Sequence, residues 1–270
     1  MIGFNNLGRL GQLGNQMFQF AVTKAVARNQ GITFRVPNHK EVMTDILGNK
    51  LRIELFDCFD LECLNYGMMN PESCYVYHEK GYEFDADVLY IDRQKDWILN
   101  GFFQSEKYFQ KIESEIRKDF TFKKEIIDEC SDIIEDIYDN PIALHIRRGD
   151  FLINSGNHFN LSLDYYEKAL KKFDASRQVV IFSDDPNWCM EQALFVDNRF
   201  IVSQAAGPYH DLYMMTQCSD FIIANSTFSW WGAWLGNNGR VIVPKQWFGS
   251  NNAHLNIKDL YCEHWEICDG

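Results

Sequence analysis

In the stretch "PIALHIRRGDF", residues 141–151, two adjacent arginines follow an apolar run. Ile142, Ala143, Leu144 and Ile146 suit the centre of a sheet. The run therefore delivers Arg147 and Arg148 to a strand end, with His145 and Asp150 beside them. Two further apolar runs end in polar residues of a consistent kind. "QVVIFS" leads into Ser183-Asp184-Asp185, and "DFIIAN" closes on Asn225 and leads into Ser226-Thr227-Phe228-Ser229. Guanidinium forks match phosphate oxygens. A helix N-terminus offers unpaired N–H groups and the positive end of its dipole to the same ligand. Carboxylates repel phosphate but suit the N–H edge of a base or the hydroxyls of a ribose. Together the three loops read as a site for a nucleoside diphosphate.

Each part also has a purely structural reading. Arg147 and Arg148 could pair only with Asp150 and Asp184 in a buried network. Asp184-Asp185-Pro186 has the form of a helix cap, and Ser226 and Thr227 could be caps as well. Trp230, Trp231 and Trp234 suit core packing better than stacking on a sugar. "RGD" matches an adhesion tripeptide, but that use needs an exposed loop on a secreted protein. The N-terminal "LGQLGNQMFQ" is a Gly-rich loop before a helix. It lacks the Lys-Ser/Thr of a P-loop and departs from G-x-G-x-x-G. "FDADVL" brings Asp85 and Asp87 close together, but outside any strand, and reads as a turn rather than a metal site.

The elements that must position these residues follow from periodicity. Strands are predicted at 142–146, 178–183, 199–203, 220–225 and 240–244, with helices at 163–173, 186–194, 211–219 and 228–236 between them. Helices alternating with fully apolar strands imply βαβ units and a parallel sheet covered on both faces. Such a doubly wound sheet binds ligands at the carboxyl ends of its strands. The first half opens with the Gly-rich loop, a helix at 15–30 and a strand at 32–36, again a Rossmann-type start. Residues 40–105 are irregular and aromatic-rich, and 125–140 form an acidic amphipathic helix. A domain boundary is expected there, giving domains 1–139 and 140–270.

The bulk numbers narrow the function classes. The 270 residues are 46% hydrophobic and 15% aromatic, enough for a sizeable core, and the formal net charge is -12. A general nucleic-acid binder shows a basic footprint instead. No signal peptide and no run of about 18 apolar residues is seen, so a cytoplasmic protein without a membrane span is expected. Eight scattered cysteines with no C-x-x-C pair point to reduced thiols rather than a disulfide framework or zinc site.

"LGNQMFQFA", "HIRRGDF", "FSDD" and "NSTFSWWGAWLG" together resemble, in content and order, the α-1,2-fucosyltransferases of glycosyltransferase family 11. The H-x-R-R-x-D motif is shared with α-1,6- and protein O-fucosyltransferases, whereas "STFSWWGAWL" is specific to family 11. The resemblance spans residues 11 to about 244. It implies an α/β, GT-B-like fold, with two facing Rossmann-type domains built on parallel sheets. The first would be the acceptor side and the second the GDP-sugar binder. It further implies an inverting transfer of L-fucose from GDP-β-L-fucose to the 2-hydroxyl of a terminal galactose in a surface glycan precursor.

Carried over residue by residue, Arg147 would meet the β-phosphate, and Asp150 would join it as the catalytic pair by orienting the arginines. The implied donor-binding set is Gly14, Asn15, Gln16, His145, Arg147, Arg148, Ser183, Asp184, Asp185, Asn225, Ser226, Thr227 and Ser229. His145 and an aspartate of the "SDD" would lie near the guanine, and Ser226, Thr227 and Ser229 near the diphosphate. Arg148 is expected to pair with Asp150 or Asp184. No metal and no cofactor are implied. The partners are GDP-fucose and a galactose-terminated glycan, with a peripheral position at the inner face of the cytoplasmic membrane and no nucleic acid. A general base stays open among His39, Glu41 and Asp45. Two alternatives also stay open: a different GDP-sugar as donor, and a catalytically silent nucleotide or carbohydrate binder. The tail after residue 254 carries no assignment beyond terminal packing.

Overall fold

The structure is a computed structural model that describes residues 1–38, 40–61, 65–135, 140–236 and 239–270. The chain forms two compact α/β units. The first comprises Met1–Lys123 and Leu255–Cys262, the second Lys124–His254 and Glu263–Gly270.

The first unit starts with β1 (Ile2–Gly3) and α1 (Leu13–Gln30), followed by β2 (Phe34–Arg35). A short hairpin of β3 (Met43–Thr44) and β4 (Lys50–Leu51) precedes α2 (Leu55–Cys58). Then come β5 (Tyr75–His78), β6 (Trp97–Asn100) and α3 (Glu113–Asp119). The main sheet has the order β2-β1-β6-β5, with every neighbouring pair parallel. α1 is buried along most of its length, because Met17, Phe18, Phe20, Ala21 and Val22 all face the interior. Phe4, Phe59, Phe103 and Phe109 complete a core rich in rings, such as Phe18–Phe109 at 6.2 Å and Phe59–Phe120 at 4.9 Å. The region expected to be irregular thus supplies two strands of this sheet. β5 carries Tyr75, Val76 and His78 exposed at the sheet edge, so it lacks the apolar run that marks a covered strand.

The second unit runs α4 (Lys124–Glu135), β7 (Ile142–Ile146), α5 (Gly149–Ile153), α6 (Leu163–Leu170), β8 (Val179–Ser183) and α7 (Pro186–Met190). It continues with β9 (Phe200–Val202), α8 (Pro208–Thr216), β10 (Asp220–Ile222), α9 (Thr227–Leu235), β11 (Val241–Pro244) and β12 (Glu266–Cys268). All five strands expected here are present, and a sixth comes from the tail. The sheet order is β12-β11-β10-β7-β8-β9, parallel throughout. β7 and β10 are neighbours from which the chain winds outward in opposite directions, so the topological switch point lies between their carboxyl ends. Trp230 and Trp231 are fully buried, with ring centroids 5.0 Å apart, and Trp234 is 5% exposed; all three belong to the core.

The expected boundary at 139/140 moves to Lys123/Lys124; residues 136–139 lie outside the described residues. α4 joins the second unit because its apolar face packs on α8, where Glu129 meets His210 at 2.6 Å. The tail also crosses over. Asp259 accepts hydrogen bonds from the Phe84 amide at 2.9 Å and the Lys107 ammonium at 2.7 Å, which ties 255–262 into the first unit. The seven described cysteines are unpaired and six of them are buried; Cys63 is outside the described residues.

Candidate active site

β7 is buried at every position and apolar at all but His145, and it ends at the switch point, where its next two residues are Arg147 and Arg148. The two guanidiniums diverge. Arg147 Nη2 donates to Asp150 Oδ1 at 2.6 Å, and its Nη1 lies 3.3 Å from Asp184 Oδ2. Arg148 donates its backbone N–H to Asp184 Oδ1 at 2.8 Å and its Nε–H to Asp185 Oδ2 at 3.0 Å. Its guanidinium lies over the Trp188 ring, 3.8 Å from the centroid. This corrects the expected pairing of Arg148 with Asp150 or Asp184. Arg147 is the residue clasped between those two carboxylates, and the Arg148 side chain turns toward α7 because Trp188 offers a flat face there. A guanidinium has five N–H donors, and the carboxylates hold each fork in place through some of them.

The turn allows this through Gly149. A Cβ there would stand 2.5 Å from Asp184 Oδ2, so a side chain would push away the carboxylate that links both arginines. Asp185 has two tasks. Besides holding Arg148, it caps α7 by accepting from the Trp188 amide at 3.3 Å, while Ser183 Oγ accepts from the Asp185 amide at 3.0 Å.

His145 is 4% exposed, and its ring lies 5.5 Å from that of Phe228. Burial, and then the neighbouring Arg147, push its pKa down to about 3, so the imidazole is neutral at physiological pH. Its Nδ1 is buried and has no hydrogen-bond partner among the described residues. His158 stacks on Phe151 with centroids 4.0 Å apart and planes 9° apart, and burial lowers its pKa too. Sequence reasoning gave no role to His158 or Trp188, and Phe151 and Phe228 lay within the quoted motifs without a role for their rings. Trp188 carried a signal, as an aromatic three residues into the helix after the "SDD".

Across the switch point, Ser226 caps α9 by accepting from the Phe228 amide at 3.3 Å, and Thr227 is the first residue of that helix. Asn225 and Ser229 face inward. Asn225 Nδ2 donates to the carbonyls of Phe159 and Trp247, both at 2.8 Å, and Ser229 Oγ donates to Ala224 O at 3.4 Å and Ser226 O at 3.3 Å. These two side chains fix the shape of the loop that presents the helix end.

The carboxyl edge of the second sheet therefore gathers His145, Arg147, Arg148, Asp150, Ser183, Asp184, Asp185, Ser226 and Thr227. Gly14, Asn15 and Gln16 belong to the first unit. Gln16 clamps the chain there, donating to Arg52 O and accepting from the Glu54 amide, both at 2.8 Å. Asn15 Oδ1 accepts from Gln104 Nε2 at 2.8 Å. Of the open base candidates, Glu41 pairs with Arg9 at 2.6 Å and Asp45 closes the β3–β4 turn by accepting from the Asn49 amide at 2.8 Å. His39 lies outside the described residues. Asp85, at the "FDADVL" stretch, caps a short 3₁₀ helix and shares Lys80 with Asp87.

Comparison with known proteins identifies the family and the fold. The glycosyl transferase family 11 pattern matches residues 2–268. The chain is 30% identical to the O-antigen biosynthesis glycosyltransferase WbnK of Escherichia coli, over 79% of this chain and 74% of that protein. It is also 30% identical to an α-1,2-colitosyltransferase of Escherichia coli, over 94% and 95% of the two chains. Galactoside 2-alpha-L-fucosyltransferase SEC1 of Bos taurus is 25% identical over 89% of this chain and 67% of its own. The fold matches NodZ α-1,6-fucosyltransferase, solved after soaking with GDP-fucose, with a TM-score of 0.57 at 13% identity over 94% of this chain and 97% of NodZ. The fold is GT-B-like, and with the family pattern running from the first strand to the last, the chain belongs to glycosyltransferase family 11.

Proposed function

We propose that this glycosyltransferase moves L-fucose from GDP-β-L-fucose to the 2-hydroxyl of a terminal galactose in a surface glycan precursor, with inversion at the anomeric carbon. The observation that carries the reading is Arg147 at the switch point, clasped by Asp150 at 2.6 Å and Asp184 at 3.3 Å. In the transfer, the acceptor oxygen bonds to fucose C1 as the bond from C1 to the β-phosphate oxygen breaks. The electron pair leaves with GDP, and the acceptor hydroxyl proton passes to solvent water. Negative charge grows on the phosphate, and a preorganised guanidinium stabilises it more in the transition state than in the ground state. Asp150 and Asp184 keep the fork from reorienting. The unpartnered Nδ1 of His145 supports a base-side contact, and the capped start of α9 supports a diphosphate contact. Gly14, Asn15 and Gln16 enter the donor site on the resemblance alone. The reading needs no metal, and it places the enzyme in the cytoplasm at the inner face of the membrane. No described helix is long and apolar enough to cross a membrane.

A second reading is transfer of a different deoxy sugar. The similarity to an α-1,2-colitosyltransferase over nearly both full chains favours it, since contacts to base and diphosphate do not read the sugar. The test is to offer GDP-fucose, GDP-mannose and the colitosyl nucleotide with a panel of β-galactosides and to read the linkage by NMR. The expected product is an α-1,2-fucosyl galactoside. A folded protein that binds GDP-fucose but neither transfers nor hydrolyses it is a silent binder.

A further inference from the structure

The first sheet also presents a carboxyl edge. β1 and β6 are neighbours, with β2 outside β1 and β5 outside β6. Three adjacent strands each deliver one polar side chain to the carboxyl edge there: Asn6 beyond β1, Asn100 at the end of β6 and His78 at the end of β5. They form a hydrogen-bonded line. Asn6 Nδ2 donates to Asn100 Oδ1 at 2.8 Å, and Asn100 Nδ2 meets His78 Nδ1 at 3.1 Å. Asn6 and His78 are exposed at its two ends. With Nδ1 accepting from Asn100, Nε2 is the donor that His78 offers to an incoming group.

The turn beside this line is conformationally costly. Gly101 has φ 154° and Phe103 has φ 52°, a region that a bulky residue seldom adopts. Glu79 holds the turn, its two oxygens accepting from the amides of Phe102 and Phe103, both at 2.7 Å. Such strain persists only where the surroundings enforce it, and it gathers at functional sites. The same turn carries Phe102, half-buried and two residues beyond Asn100, stacked on Tyr82 with centroids 6.1 Å apart and planes 20° apart.

Neutral amides and an imidazole exchange hydrogen bonds with hydroxyls, and an aromatic face accepts the apolar C–H face of a pyranose. Glu79 is occupied by the two backbone amides, and the nearby Lys80 is paired with Asp85 and Asp87 at 3.0 and 2.9 Å. The edge therefore suits a neutral sugar better than a phosphate. We propose that Asn6, Asn100, His78 and Phe102 form the subsite for the terminal galactoside of the acceptor, with His78 and Asn100 binding hydroxyls and Phe102 supporting the ring. This rests on the glycosyl-transfer reading above and adds the residues that choose the acceptor.

The experiment is binding of lactose or N-acetyllactosamine to the full chain saturated with GDP, followed by NMR titration. Each of Asn100→Ala, His78→Ala and Phe102→Ala should weaken the Kd for the sugar by roughly fivefold or more, about what one neutral hydrogen bond or one stacking contact contributes. GDP affinity and Tm should hold. His78→Gln, which keeps a donor, should recover part of the loss. His78 is exposed, so its variants test the idea even if Asn100→Ala fails to fold. Sugar Kd values within twofold of wild type in all folded variants, or no sugar binding by the wild type, overturn the proposal. Hydrolysis of GDP-fucose is measured in parallel. Its absence sinks the donor assignment while leaving the sugar-binding result to stand or fall by itself.

Discussion

The two units solve one architectural problem with opposite chemistry. Each has a parallel sheet, and each carries polar residues to its carboxyl edge. The second unit places two guanidiniums and three carboxylates there, with Arg147 paired to Asp150 and Asp184 and Arg148 to Asp185. The first places two amides, an imidazole and an aromatic pair, with the Glu79 carboxylate bound to backbone amides. The sheet supplies the location and the loops supply the ligand class. A charged edge preorganises donors for a charge that grows during reaction, whereas a neutral edge recognises a ligand whose charge never changes.

The hardest test of that contrast is Arg147→Ala. It should lose about 10²–10³ in kcat, the usual cost of removing one preorganised charge-stabilising donor. Arg147→Lys should recover little, because a point charge cannot bridge Asp150, Asp184 and phosphate as a fork does. Arg148→Ala should behave differently. It loses the Trp188 stack and the Asp185 bond, so Tm and GDP affinity should fall more than kcat. Measuring kcat, GDP affinity and Tm for all three variants decides the roles. A near-normal kcat in Arg147→Ala beside a folded, inactive Arg148→Ala would reverse them.

On the neutral edge, the matching lesion is Gly101→Ala. Its Cβ would stand 2.4 Å from the Glu79 Cβ at a backbone angle that L-residues avoid. A loss of about 1–3 kcal/mol is expected, the range for overpacking and backbone strain. It should appear as a lower denaturation midpoint and a weaker acceptor KM, with the GDP affinity of the second unit unchanged. A large loss of GDP affinity would mean that the two edges are not chemically separate.

Titration tests the second unit further. His145 sits near 3 in the folded protein, and an unfolded imidazole titrates near 6.5. Its contribution to stability is thus fully present above about 6.5. As pH falls below that, the unfolded chain takes up a proton that the folded state refuses. The equilibrium then shifts toward unfolding by up to about 1.4 kcal/mol per pH unit until about pH 3. Asp211 acts in the opposite sense. Burial pushes it up to about 6, so it favours the folded state increasingly as pH falls from 6 toward its ordinary 3.8. Wild type alone therefore does not isolate the histidine. The difference between wild type and His145→Gln does: their urea midpoints should run parallel above pH 7 and close on each other, wild type losing more, between pH 6.5 and 4.5. Parallel curves throughout would place the His145 proton elsewhere.

The charged edge was far more legible in the sequence than the neutral one, for a physical reason. Apolar runs such as "IALHI" and "VVIF", alternating with helices, read as covered strands, which puts the polar residues after them at one sheet edge. The first sheet is built from strands of two to four residues, and β5 at its edge is decorated with Tyr75, Val76 and His78 in solvent. No periodicity announces such strands, and the Asn6–Asn100–His78 line spans 94 residues of chain. Helix spans in the second half were right to within a few residues. The helix expected from 211 begins at Pro208, since proline is accommodated in a first turn. Which arginine takes which carboxylate was not readable, because it depends on where the Trp188 ring lies. The crossover of the tail was equally hidden, because Asp259 acquires its partners only in the folded first unit.

The smallest expected effect is none at all, from chelation. Metal-dependent sugar-nucleotide transfer needs carboxylates free to face a cation and a diphosphate together. Here Asp150 and Asp184 are turned onto Arg147, and Asp185 onto Arg148 and the start of α7. Pulling any of them onto a cation would release the guanidinium it holds. Arg147, Arg148 and the capped N-terminus of α9 are the groups assigned to the diphosphate charge in the proposed reaction, and none is displaced by EDTA. Initial rates with GDP-fucose should therefore be equal in excess EDTA and in millimolar Mg²⁺ or Mn²⁺. Loss of transfer in EDTA with recovery on adding either cation would show that the charged edge works through a metal, and the division of labour between the carboxylates and the arginines would have to be redrawn.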